Sequence, residues 1–231
     1  MRFIVHLSTT WLIAGGLLGT LLPVASIAGC SSSPGPSVDW SKCRKSSKYL
    51  QELDMTGANL RRTDLRKTNL MNATLVKADL FKADVSRAIL RGANLTEANL
   101  SGAIGSRVYM DRAKLKSADM TKAEFFRANL TAGDLSGADL TGAQLGRAVM
   151  TGANLDRAVL KFANLARTNL SLASVEGADF TQAYFFRTKI TGVDFSKSIG
   201  LRQDQLLLSC GDDKTLLPAG LERPAAWPCE N

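Results

Sequence analysis

The residues with the clearest capacity for chemistry are basic side chains that recur every 20 residues along the chain. They are Lys67, Arg87, Arg107, Arg127, Arg147, Arg167 and Arg187. A fold that brought them into one row would attract anionic polymers. The formal net charge of +8 favours the same partners, namely lipid headgroups, acidic polysaccharide or nucleic acid, although it is also consistent with solubility alone.

Other polar residues give little indication of catalysis. The only histidine, His6, lies in a predicted export signal, so the mature chain is expected to lack a histidine for acid–base chemistry or zinc binding. The adjacent Asp212 and Asp213 are typical of a solvated turn. One set of aspartates either binds a cation or makes turn hydrogen bonds, and we favour the turn bonds. This set is Asp79, Asp119, Asp139 and Asp179. We therefore predict no enzyme activity, no metal and no cofactor.

The first 29 residues are typical of a signal peptide, with a basic Arg2 followed by a short apolar stretch that Pro23 interrupts. The sequence Ile27-Ala28-Gly29-Cys30 resembles the bacterial lipobox. That resemblance implies cleavage before Cys30 and acylation of its sulfur. Ser31 at the next position favours the outer membrane over the inner one. Residues 30–37 are then a flexible tether to a lipid anchor. The alternative is cleavage after Ala28, which gives a soluble secreted protein.

Three further cysteines are expected in an oxidising compartment if the chain is exported. Cys210 and Cys229 bracket a short C-terminal segment, and a disulfide between them is worth about 3 kcal/mol in a chain-entropy model. Cys43 lies at the other end of the chain, so we predict that it has no partner.

The elements that position these residues follow from a five-residue repeat over residues 53–197. Every fifth residue from Met55 to Phe195 is apolar, mostly Leu, with Gly105 as the one exception. The residue two positions earlier is usually Ala or Thr, and the residue between them is often Asn or Asp. A regular repeat of this kind indicates a solenoid and takes precedence over local helix or strand propensities.

Two clear copies are Ala93-Asn94-Leu95-Thr96-Glu97 and Ala138-Asp139-Leu140-Thr141-Gly142. They resemble the signature of the pentapeptide-repeat family, Ala-(Asp/Asn)-Leu-x-x. The resemblance implies an all-β fold, a right-handed quadrilateral β-helix in which four pentapeptides make a coil of 20 residues. About seven coils are expected, with the apolar residue and the small residue pointing inward. Some members resemble duplex DNA and bind topoisomerases, but an acidic surface and a cytoplasmic location underlie that activity, and this chain is basic and predicted to be exported.

The repeat divides the chain into predicted segments. They are a signal peptide (1–29), a lipid-anchored tether (30–37), an N-terminal lead-in and cap (38–52), the β-helix (53–200) and a C-terminal cap and tail (201–231). Trp40 is expected to cover the first coil. Residues 201–208 are predicted to form a short amphipathic helix, with Leu206 to Leu208 closing the other end. We also predict that Val108 fills the volume left by Gly105, the alternative being a local bulge.

The row of cations has two explanations at this stage. In the first, the side chains hydrogen-bond loop carbonyls of neighbouring coils and cover the corner with their stems. In the second, they bind an anionic polymer along the rod. Stacked cations about 4.8 Å apart repel each other unless carboxylates such as Asp64, Asp84 and Glu124, or a ligand, offset the repulsion. Outward-facing aromatic residues are expected nearby at Phe126, Tyr184 and Phe186.

Three functional hypotheses follow. The first is a lipid-anchored, non-enzymatic envelope protein on the periplasmic side of the outer membrane, with a rigid surface for a protein or ligand. The second is a binder of an acidic envelope polymer that uses the basic row. The third is a structural spacer or assembly module. The predicted location disfavours nucleic acid as the partner, and the oligomeric state is left open.

Overall fold

The computed structural model describes residues 29–228. From residue 36 to residue 199, the backbone repeats a turn and a single-residue bridge every five residues. The bridges are parallel and join residues 20 positions apart, such as Asp39 with Asn59 and Asn59 with Asp79. Four five-residue sides therefore make one coil, and the coils stack into a β-helix. Each side pairs through one residue. The described part of the chain therefore contains only isolated single-residue bridges and no strand of several residues.

The core lies inside the coils and consists of the two inward positions of each repeat. Leu60, Leu65 and Leu70 have no exposed surface, and neither do Ala58 and Ala73. This confirms the inward positions expected from the repeat. A side of five residues leaves room for one medium side chain and one methyl group, which explains why aromatic residues are rare in the chain. The right-handed sense of the coils stays a prediction.

Threonine replaces alanine at several inward positions because its hydroxyl finds a partner there. Thr63 Oγ1 donates a hydrogen bond to the Trp40 carbonyl oxygen (2.6 Å), and Thr68 Oγ1 donates to the Lys45 carbonyl oxygen (2.9 Å). A buried hydroxyl without such a partner costs several kcal/mol on transfer scales, about 4 kcal/mol or more into a fully apolar medium. These bonds join one coil to the next and make threonine compatible with the core.

The defect at Gly105 is filled from the neighbouring coil. A Cβ atom at Gly105 would lie 2.5 Å from Cε1 of Phe125, and the three nearest heavy atoms all belong to that ring. Our prediction that Val108 fills this volume was therefore wrong, because residues 20 apart face each other more closely than residues three apart. The alternative of a bulge is also wrong, since Gly105 N–H donates to the Glu124 carbonyl oxygen (2.8 Å) as in a regular coil.

The N-terminal end departs from the expected flexible tether. Lys45 Nζ donates a hydrogen bond to the Cys30 carbonyl oxygen (2.6 Å), and Trp40 Nε1 donates to the Ser32 carbonyl oxygen (3.0 Å). Ser37 N–H bonds to the Thr56 carbonyl oxygen (2.8 Å). Residues 30–37 are thus folded against the first coil, and residues 38–52 already form a coil of their own rather than a lead-in.

The C-terminal end carries the one helix of the described chain, α1 (Gln203–Leu207). The buried Gln205 donates through Nε2 to the carbonyl oxygens of Phe180 (2.9 Å) and Ala183 (2.8 Å), which no further coil covers. Leu206 is fully buried, whereas Leu207 and Leu208 are exposed. The prediction that all three leucines close the end was therefore wrong for two of them, because α1 presents only one of its faces to the coils.

The tail continues this closure. Lys189 bridges to Cys210 and Asp194 bridges to Leu216, so residues 210–216 contribute part of a last coil. Trp227 is nearly buried, and its Nε1 donates to the Ser209 carbonyl oxygen (2.9 Å). Over residues 29–228, α1 is the only helix, and it is far too short to cross a bilayer.

Candidate anion-binding surface

The seven cations predicted to form a row occupy the same position in seven successive coils. We call this set the basic ladder: Lys67, Arg87, Arg107, Arg127, Arg147, Arg167 and Arg187. Each of them has a left-handed backbone, with φ between 53° at Arg187 and 61° at Arg147. All seven side chains are exposed. The five-residue turn therefore directs one cation per coil to the same edge of the rod.

The backbone holds the ladder in register without help from its side chains. The N–H of Arg107 donates to the Phe126 carbonyl oxygen (2.9 Å), and the N–H of Arg127 donates to the Gly146 carbonyl oxygen (3.0 Å). Every other ladder residue makes the equivalent bond. Main-chain hydrogen bonds therefore already join neighbouring coils at the ladder positions, which is the role first considered for the ladder side chains.

The ladder side chains have no anionic partner within residues 29–228. None of them takes part in a salt bridge or donates a side-chain hydrogen bond there, although the Arg187 guanidinium lies 5.6 Å from the centroid of Phe186. The expectation that they bond loop carbonyls is therefore not met. Neighbouring cations at this spacing repel by about 1 kcal/mol per pair even in water.

Two of the three carboxylates expected to offset this repulsion, Asp64 and Asp84, pair with a cation outside the ladder. Arg66, which is not in the ladder, lies 2.7 Å from Asp64 and 3.6 Å from Asp84. Its hydrogen bond holds the pKa of the Asp64 carboxyl below its usual range. Further along this side, the corresponding positions carry Gln144 and Asn164 rather than acids. Because Glu124 precedes Arg127 on this side, the ladder is least compensated from Arg147 to Arg187.

Aromatic side chains lie beside the ladder, as the sequence predicted. Phe126 and Tyr184 are about half exposed, and the Tyr184 and Phe186 rings stack with centroids 6.2 Å apart. Sequence reasoning missed the groove beside them, which has a volume of about 520 Å³. Its lining is Phe126, Arg127, Gly146, Arg147, Asn164, Ala166, Arg167 and Phe186. The signal was present, since Phe126, Gly146, Ala166 and Phe186 are spaced by 20 residues.

The aspartate set makes turn hydrogen bonds rather than a cation site. Asp119 Oδ1 accepts the Thr121 N–H (2.9 Å), and Asp139 Oδ1 accepts the Thr141 N–H (2.9 Å). Asp79 and Asp179 accept the equivalent bonds from the backbone two residues on. Across residues 29–228, no cluster of His, Cys, Asp and Glu side chains has the arrangement of a metal site.

The cysteines overturn one prediction, that Cys43 has no partner. Cys30 and Cys43 form a disulfide, with Cα atoms 5.4 Å apart. Cys43 is therefore paired, because residues 30–37 fold back onto the first coil. This bond and acylation of Cys30 exclude each other, since a sulfur in a disulfide is not available for a thioether to lipid, and the modification of Cys30 stays a prediction. Cys210 is disulfide-bonded as well, and its predicted partner Cys229 lies outside the described residues.

The stacked coils and their five-residue side define a repeat solenoid with one basic edge. The family profile for pentapeptide repeats matches eight copies, over residues 54–92, 93–131, 123–161, 134–171 and 163–199. The chain belongs to the pentapeptide-repeat family. Members of this family are generally non-enzymatic. No curated protein sequence matches the chain.

Several solved structures are similar to the chain. HetL, a pentapeptide repeat protein involved in heterocyst differentiation regulation in the cyanobacterium Nostoc sp. strain PCC 7120, is 27% identical, with 79% of this chain and 80% of HetL covered and a TM-score of 0.45. QnrB1, a plasmid-mediated fluoroquinolone resistance protein, is 16% identical, covering 77% and 90%, with a TM-score of 0.45. A pentapeptide repeat protein from the Arabidopsis thaliana thylakoid lumen is 25% identical, covering 57% and 83%, with a TM-score of 0.24.

Proposed function

We propose that the protein is an exported, non-enzymatic binding protein of the cell envelope that holds an acidic polymer along its basic ladder. The observation that carries this proposal is the row of seven exposed cations without an ion pair in the described chain. The coils do not need these side chains, since the backbone supplies the bonds between them. A polyanion lying along the rod relieves the repulsion between neighbouring cations.

Export is supported by the signal-like N-terminus and by the disulfide between Cys30 and Cys43, because such bonds persist mainly in oxidising compartments. The disulfide favours cleavage after Ala28, which leaves Cys30 unmodified, over the lipid anchor expected at first. The rigid rod then presents its ladder to polymers of the envelope. Of the candidates, an acidic polysaccharide fits this location better than nucleic acid.

The proposed processing predicts the chemistry of the mature N-terminus. Peptide mapping of the native protein without reductant should recover the Cys30 and Cys43 peptides linked to each other, with Gly29 at the N-terminus. Substituting Cys43→Ser should leave Cys30 free and lower stability by about 3 kcal/mol, because the closed loop no longer restrains the unfolded chain. A Cys30 peptide that carries acyl chains in the native protein would show the proposed processing to be wrong.

The ladder itself is tested by charge reversal. We expect the triple substitution Arg107→Glu, Arg127→Glu and Arg147→Glu to weaken binding of polygalacturonate roughly 100-fold at low salt, because each exposed charge contact is worth up to about 1 kcal/mol. Isothermal titration calorimetry measures the affinity, and dextran serves as the neutral polymer. Unfolding curves should be close to those of the native protein.

The matched control reverses three cations at the same turn position on the adjacent side, Arg62→Glu, Lys82→Glu and Lys122→Glu. Both triple variants change the net charge equally, so the pair separates a specific edge from overall charge. Binding should persist in the control variant. An equal loss in both variants, or a native protein that binds neither polygalacturonate nor polyphosphate, would contradict the proposal.

A further inference from the structure

The groove beside the ladder contains one column of residues, which we call the aromatic notch: Phe126, Gly146, Ala166 and Phe186. They occupy the same position in four successive coils. Two aromatic side chains therefore stand at the ends of the column, with almost no side chain between them. At about 4.8 Å per coil, the backbones of the two phenylalanines are about 14 Å apart.

Both phenylalanine rings of the notch keep part of their surface accessible. A Cβ atom at Gly146 would lie 3.1 Å from Cε1 of Phe126, so this ring leans over the glycine and into the notch. It keeps 41% of its surface exposed. At the other end, Phe186 stacks in parallel with the half-exposed Tyr184. Exposed aromatic surface of this kind favours a partner with an apolar face.

The polar groups around the notch are cations and amides. Arg127, Arg147 and Arg167 line one side of it. On the other side, Asn164 donates through Nδ2 to Gln144 Oε1 (3.1 Å). The notch contains no carboxylate among its lining residues. Its volume of about 520 Å³ lies within the range of about 300–1,000 Å³ that small-molecule sites usually have.

We propose that the aromatic notch binds sugar rings of an acidic polysaccharide, with uronate carboxylates paired to Arg127, Arg147 and Arg167. This inference rests on the proposed function and names the chemistry of the polymer. A pyranose ring has an apolar face of C–H groups that packs on an aromatic ring, and a polar rim that reaches amides and cations. The rise of one sugar along an extended chain is close to the coil spacing, so the carboxylates that face the rod come near arginines of the ladder.

A single-stranded nucleic acid also combines flat rings with negative charge and binds aromatic, basic grooves. The disulfide at Cys30 and Cys43 favours the polysaccharide, because it indicates an oxidising compartment in which envelope glycans are the abundant acidic polymers. Oligothymidylate is therefore one of the probes in the test. Polyphosphate is another, because it carries charge but has no ring.

The test removes the aromatic walls and leaves the ladder intact. We expect Phe126→Ala combined with Phe186→Ala to weaken binding of hexagalacturonate about tenfold, the order found for stacking on an aromatic side chain. Polyphosphate affinity should not change. The matched control is Phe162→Ala, which removes an exposed phenylalanine on another side of the coil and should leave both affinities unchanged. Ala166→Leu, which fills the floor, should also weaken hexagalacturonate binding alone.

The outcomes separate this inference from the ladder. Hexagalacturonate affinity that is equal in all variants, or no hexagalacturonate binding by a native protein that binds polyphosphate, overturns the notch and leaves the ladder standing. Notch-dependent binding of oligothymidylate without binding of hexagalacturonate overturns the choice of polysaccharide. A native protein that binds none of the three probes overturns the ladder as well.

Discussion

Substituting Trp40→Ala should destabilise the protein by about 3–5 kcal/mol, the usual cost of removing a large aromatic side chain from a core. Trp40 occupies the inward position of the first coil and is only 2% exposed. Its ring lies 3.7 Å below Lys45 Nζ, and its Nε1 donates to the Ser32 carbonyl oxygen. Loss of the ring therefore opens the end of the stack and releases the segment that folds over it. Chemical denaturation measures the change.

Tyr49→Ala provides the control, because Tyr49 lies in the same coil with 81% of its surface exposed. Its removal should change stability by less than about 0.5 kcal/mol, as is usual for surface positions. A cost below about 1 kcal/mol for Trp40→Ala would mean that the end of the β-helix does not depend on this cap.

The second large effect concerns the pair formed by Gly105 and Phe125. Gly105→Leu should destabilise the protein by about 3 kcal/mol, because even its Cβ atom meets the Phe125 ring. Phe125→Leu alone should also be costly, since it leaves a void opposite the glycine. The double substitution restores the regular leucine pair found in other coils and should recover most of the stability.

A double-mutant cycle measured by urea denaturation gives the coupling between the two sites. We expect a favourable coupling of about 2 kcal/mol or more, within the range seen for residues in contact. The control is the double-mutant cycle of Gly105→Leu with Val108→Ala. It tests the contact between Gly105 and Val108 that the sequence predicted. The contact between Gly105 and Phe125 would not determine packing here if the two substitutions changed the free energy of unfolding additively. The same would follow if Val108→Ala restored the full stability of Gly105→Leu.

The repeat explains why most of the fold could be predicted from the sequence. With one apolar and one small residue in every five, only one arrangement of the chain buries Leu60, Ala58 and their equivalents together. The contact between Gly105 and Phe125 could not be predicted with the same ease, because it depends on which residues of adjacent coils lie opposite each other. The first coil was missed because Trp40 and Lys45 do not match the signature, and an end coil tolerates such residues.

The cysteines show a different limit of sequence analysis. The lipobox-like motif is four residues long, and its chemistry depends on whether Cys30 is free. The distance that permits a disulfide with Cys43 arises only when the preceding segment folds onto the coil. Acylation of Cys30 therefore stays a prediction from a short motif, and export itself is a proposal that the disulfide supports.

The candidate site was predicted in part. The ladder follows directly from the 20-residue spacing of its cations, since all seven occupy equivalent turns. Whether Arg107 or Arg127 bonds a carbonyl depends on side-chain geometry that spacing does not contain. The aromatic notch also required the structure, because the lean of Phe126 over Gly146 determines which surface remains open.

Site-specific photo-crosslinking in the native envelope tests the central claim most directly. A benzophenone amino acid replaces Ser106, beside Arg107 on the ladder edge, and in a second variant it replaces the exposed Lys116 on the opposite side of the rod. The proposed function predicts that the probe at position 106 crosslinks to acidic polysaccharide and that the probe at position 116 does not. Crosslinking to polysaccharide of equal yield at both positions, or none at position 106, would contradict it.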